Sequence, residues 1–150
     1  MPARDRVTQR LREALDDQRA AQGEPAWTGA AEPGVLGRAC AVAVVHALDA
    51  GAQPRTAALR AAVRYLCDLL AAGAPGQAVE VRVPPYAAVQ CVGGPRHSRG
   101  TPSNVVETDP VTWVRLAAGR LPWGEAMAAG LVRASGIRAD LAPYLPLLTI

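Results

Sequence analysis

Phenylalanine and lysine are both missing from this 150-residue chain, so its permanently basic side chains are all arginine. We read the missing lysine as genomic base composition, not as chemistry. Cysteine is sparse as well. Cys40, Cys67 and Cys91 form an odd, widely spaced set without CxxC or Cys/His metal spacing, which argues against a disulfide framework and a zinc site. A reducing cytoplasm is their simplest home. No apolar run approaches the roughly 20 residues that a membrane span needs. The most apolar segment, residues 35–48, is too short and is interrupted by Arg38 and His46. The N-terminal sequence alternates charges and lacks the apolar core of a signal peptide. The closing Leu148-Thr149-Ile150 does not resemble a peroxisomal address.

Charge of one sign is lacking too. With 16 basic and 13 acidic residues the net charge is +3, spread over both halves. No run of five basic residues occurs, and RRM, KH and zinc-finger signatures are missing. Nucleic acid is therefore not an expected partner. Enzyme signatures fare no better. There is no G-x-x-x-x-G-K phosphate loop, no G-x-G-x-x-G after a strand, no HExxH and no G-x-S-x-G elbow. Neighbouring carboxylates such as Asp16 and Asp17 fall on a charged helix, where solvation accounts for them. We expect no catalysis and no cofactor.

What the chain does have is apolar bulk. Half its residues are hydrophobic, and 150 residues suffice for one domain with a core of its own. Val7, Leu11 and Leu15 draw a narrow apolar stripe along a first helix, about residues 4–21. Residues 22–34 are a linker by composition, in which Trp27 would staple the segment to the body or anchor a core. Residues 35–50 read as a helix apolar nearly all round and hence largely buried. Its His46 fits a hydrogen-bonded core residue better than a ligand. Residues 55–72 form the cleanest amphipathic helix, with Arg60, Arg64 and Asp68 on the wet side and Leu59, Val63, Leu66 and Leu70 facing inward. Cys67 lies beside that inward stripe.

Residues 79–83 (VEVRV) alternate strictly, as in a strand with one face buried. Pro84-Pro85 forces a turn, and residues 86–92 form a second strand with Ala87, Val89 and Cys91 on one side. So short a connection predicts antiparallel pairing. The loop at residues 93–104 (GGPRHSRGTPSN) is the one with chemical promise. Arg96, His97 and Arg99 could hold an anion there; otherwise the loop is solvated, or its arginines pair with Glu107 or Asp109. Ser98 adjoins His97, but no orienting carboxylate completes a catalytic set.

Residues 105–148 are the most organised stretch: strand, helix, short helix, strand and a last helical turn. Asp109 is an N-cap with Pro110 at the first helical position. Trp113, Leu116 and Ala117 share a face, with Thr112 and Arg115 opposite, and Gly119 stops the helix. Pro122 starts a helix on which Trp123 and Met127 share a side, and Gly130 ends it. Residues 131–135 are a strand closed by Gly136. Asp140 caps a turn carrying Leu141, Tyr144, Leu145 and Leu148 before Pro146 interferes.

This stretch resembles the sterol carrier protein type 2 family. The resemblance is carried by Asp109, Trp113, Leu116, Gly119, Arg120 and Leu121, then by Ala126, Gly130, Val132, Arg133 and Gly136, and by Leu141 and Leu145 of the tail. It covers the last half of the chain well and the preceding helix and strands weakly. An extra helical N-terminal third, the missing phenylalanine and the paired prolines depart from the family pattern. The resemblance implies an α/β (α+β) domain, residues 1–34 being an N-terminal helix and linker and 35–150 the core. In it a mainly antiparallel sheet of four or five short strands is covered by helices. It also implies a bacterial protein that binds an apolar or fatty-acyl ligand between the sheet and C-terminal helices. Trp113, Leu116, Leu121, Trp123, Met127 and Leu131 would line that space, with Val89 and Cys91 from the sheet and Leu141 and Leu145 as its lid. Arg96, His97 and Arg99 would meet an anionic head. The rival expectation is an accessory module without a ligand, its N-terminal third docking a partner protein.

Overall fold

The computed structural model describes residues 2–94 and 104–150. Among the described residues, five helices, four strands and one 3-10 turn follow the order α1 (Ala3–Ala21), α2 (Pro33–Asp49), α3 (Thr56–Gly73), β1 (Val79–Val83), β2 (Ala87–Cys91), β3 (Val105–Thr108), α4 (Pro110–Ala117), α5 (Trp123–Ala128), β4 (Val132–Ser135) and the turn Ala142–Tyr144. They fall into two compact units, Met1–Tyr65 and Leu66–Ile150, which divide within α3.

In the first unit α1 packs on α2 around Leu15, Leu36, Cys40, Ala43 and Ala61, with Leu11 and Trp27 at the margin. The stripe on α1 is buried only toward its C-terminal end: Leu15 is enclosed, whereas Val7 is 47% exposed. Trp27 does staple the linker, its backbone N–H donating to Asp16 Oδ1 at 2.7 Å and its indole N–H to the Ala30 carbonyl at 3.1 Å. Arg19 lies over its ring. Asp16 and Asp17 thus have partners, Asp17 binding Arg55 at 3.1 Å, and solvation alone does not account for them. α2 buries Leu36, Cys40, Ala41, Val44, Val45 and Ala47 but leaves His46 exposed, so His46 is no core residue. A run of alanine and valine hid the wet side of this helix, since neither residue marks a face by its charge.

α3 follows its pattern closely. Arg60, Arg64 and Asp68 are exposed, Val63, Leu66 and Leu70 buried, and Leu59 half-buried.

The second unit is built on a four-stranded sheet in the order β2-β1-β3-β4. β1 and β2 form the expected antiparallel hairpin, from Val79 opposite Cys91 to Val83 opposite Ala87. Val79, Val81 and Val83 are all buried, as strict alternation requires. β3 joins the other edge of β1 in parallel, and β4 closes the sheet antiparallel to β3. Val92, at the exit of β2, has φ +64°, costly for a β-branched residue. Two backbone bonds hold it there: its N–H donates to the Ala74 carbonyl at 2.7 Å, and its carbonyl accepts from Ala78 at 3.0 Å. Gly76 must be glycine, because a Cβ there would lie 2.1 Å from the Val92 carbonyl oxygen. Asn104 ties the far end of the next connection. Its Nδ2 donates to the Ala78 carbonyl and its Oδ1 accepts from the Arg138 N–H, both at 2.9 Å.

Two details depart from expectation. Thr112 is buried, not on an outer face, and its hydroxyl donates to Asp109 Oδ1 at 2.5 Å. The C-terminal tail makes only the 3-10 turn Ala142–Tyr144. Pro143 and Pro146 deny the N–H groups a longer helix needs, and the tail instead donates from Leu147 and Leu148 to the Ala117 carbonyl at 2.8 and 3.0 Å. The expected C-terminal helical lid is therefore a strap.

Candidate functional site

The residues singled out for ligand contact lie on β2, α4, α5 and the segments that follow them, and local chemistry explains why α4 is so well defined. Asp109 Oδ2 accepts from the Thr112 N–H at 3.0 Å, satisfying one of the free donors of the first turn. At the other end Gly119 takes φ +71°, with Gly119 N–H to Leu116 O at 3.2 Å and Arg120 N–H to Arg115 O at 2.8 Å. This is a Schellman closure. Eight residues are thereby fixed at both ends, holding Trp113, Val114, Leu116 and Ala117 inside.

Trp113, Leu116, Leu141 and Cys91 are fully buried. Val89, Leu121, Trp123 and Leu145 are half-buried. Met127 is 39% and Leu131 44% exposed, because α5 is short and buries only Ala126. Within the set, the two α4 residues are thus enclosed, while Met127 of α5 and Leu131 beyond it are partly open. Arg96, His97 and Arg99 lie outside the described residues. Of the carboxylates considered as their partners, Asp109 is engaged in its cap and Glu107 pairs with Arg133 at 3.6 Å.

Polar groups inside this unit are few and nearly all matched. Thr108 Oγ1 donates to the Leu131 carbonyl at 2.8 Å, and Asn104 and Thr112 are bonded as described. The exception among the described residues is Trp113 Nε1, which is buried without a partner. Such an orphan donor costs on the order of 1–3 kcal/mol. Sequence reasoning placed Trp113 in the apolar set but missed its unmet N–H, and it missed Asn104 altogether. Only an Asn just ahead of a valine pair hinted at the latter.

Burial pushes the Cys91 thiol up to about 11. It pushes Cys67 to about 12, with Asp68 and Cys91 adding to the effect, and Cys40 to about 12 with help from Asp16. All three are free thiols, un-ionised at neutral pH and poor nucleophiles. Among the described residues no cluster of His, Cys, Asp and Glu could hold a metal ion. A separate cleft of about 510 Å³ lies in the first unit, lined by Asp17, Gln53, Pro54, Arg55, Thr56 and Ala57. Its charged wall suits water better than a hydrocarbon.

The second unit is thus an α+β fold in which helices cover a mostly antiparallel four-stranded sheet. A family profile described as a bacterial SCP ortholog matches residues 55–147, well over half of the chain. The chain belongs to that sterol-carrier-protein-like family. The match starts at the threshold of α3 and leaves out α1 and α2. No curated protein matches the chain. Among the described residues no helix is long and apolar enough to cross a membrane.

Proposed function

We propose that this protein is a non-catalytic bacterial carrier of a hydrophobic ligand such as a fatty acyl chain or a sterol-like lipid. The family match over residues 55–147 is the observation that carries this reading. The apolar set on α4, α5 and the tail supports it. Trp113, Leu116, Leu121, Trp123, Met127 and Leu131 would hold the ligand, Val89 and Cys91 would approach it from the sheet, and Leu141 and Leu145 would close over it. The driving force is burial of the ligand's apolar surface, worth roughly 25 cal/mol per Å². An anionic head group would pair with Arg96, His97 and Arg99. Three free thiols suit a reducing cytoplasm as the place of action.

The experiment is a titration of delipidated protein with a fluorescent fatty acid and a fluorescent acyl-CoA. Saturable binding, competed by unlabelled fatty acid, is expected. No binding of either probe would overturn the proposal.

The accessory-module reading has one observation of its own. Residues 3–10 of α1 are solvent-exposed apart from Thr8 and display Val7. A partner protein that is captured by the full chain, and lost when residues 1–34 are removed, would favour that reading.

A further inference from the structure

The interior of the second unit offers, among the described residues, one unpartnered side-chain donor and no cation. Among the described residues, Trp113 Nε1 alone is a buried side-chain polar atom without a hydrogen-bond partner. The neighbouring buried polar side chains are committed: Asn104 to Ala78 and Arg138, Thr108 to Leu131, Thr112 to Asp109. No charged side chain is buried among the described residues of this unit. Buried indole N–H groups ordinarily find an acceptor, and among the described residues this one has none.

We infer that Trp113 Nε1 is a ligand-binding donor and that its acceptor is a neutral oxygen, a hydroxyl or a carbonyl, on an otherwise apolar molecule. The inference rests on the carrier reading and narrows it to a chemical class. An ionised carboxylate is excluded from this position. Burying its charge against one indole, with no buried cation beside it, costs more than a single hydrogen bond returns. A pure hydrocarbon would leave the N–H unmet.

The chain has three tryptophans, so the indole region of a proton–nitrogen correlation spectrum holds three N–H signals. W27F and W123F, at half-buried positions, identify the Trp113 signal by elimination without touching that residue. Delipidated, isotope-labelled protein is titrated with decanol, decane and, at mildly alkaline pH, decanoate. Decanol should move the Trp113 indole proton downfield. Decane and decanoate should perturb backbone signals of the unit while leaving that proton in place. The inference is overturned if the signal is already at a hydrogen-bonded position without ligand, if bound decanol leaves it unmoved, or if decanoate moves it as far as decanol does. In each of those cases binding itself can persist and the carrier reading stands. If none of the three perturbs any signal, the carrier reading falls and takes the inference with it.

Discussion

Asn104 sits at 5% exposure and bridges two segments of the sheet's lower edge through Ala78 and Arg138. Replacing it with alanine would leave the buried Ala78 carbonyl and the part-buried Arg138 N–H unmet, a loss of about 2 kcal/mol. Urea denaturation of Asn104→Ala against the parent should show this as a clear drop in midpoint. The cysteines make a second prediction at this scale. Their folded values of about 11 to 12 lie above the ordinary 9.0. Below pH 9 they are protonated whether the chain is folded or not, and contribute no pH dependence. Above it the unfolded chain releases protons first, so stability should fall as pH rises through 9 toward 12. Iodoacetamide at pH 8 should leave all three thiols unmodified in the folded protein and label them after denaturation. Neither Asn104 nor the unmet indole could be read from sequence, because both depend on which backbone groups the fold brings alongside.

Elements were more legible than residues, and caps explain why. The Asp109-Pro110 start and the Gly119 stop of α4 are local chemistry, written within ten residues. Asp109→Ala should cost about 1–2 kcal/mol, visible in the same denaturation assay, while Asp109→Asn should recover most of it. The turn between α3 and β1 is stricter. Gly76→Ala would drive a methyl into the Val92 carbonyl, and a loss on the order of 3 kcal/mol or failure to fold is expected. The misreadings also have physical causes. Thr112 can be buried because its hydroxyl is satisfied by the Asp109 cap three residues back. His46 faces outward although its neighbours are apolar, because alanine and valine tolerate either side of a helix. The tail became a strap once Pro143 and Pro146 withheld their N–H groups.

At the scale of the molecule, alternation in β1 and the short Pro-Pro connection foretold the hairpin, and the sheet proved mostly antiparallel. The parallel pairing of β1 with β3 was not legible, since nothing in four residues of β3 specifies its neighbour. The family showed through small and apolar positions of α4, α5 and β4, and the family profile covers that region. The ligand-binding role is a proposal, because packing residues and pocket residues have the same chemistry in sequence. The most direct trial of the central claim is native mass spectrometry of protein purified gently and never delipidated. The account predicts a population heavier than the bare chain by the mass of a small hydrophobic molecule that organic extraction removes. A single species at the bare-chain mass, unchanged after incubation with fatty acids, fatty alcohols and sterols, would contradict it.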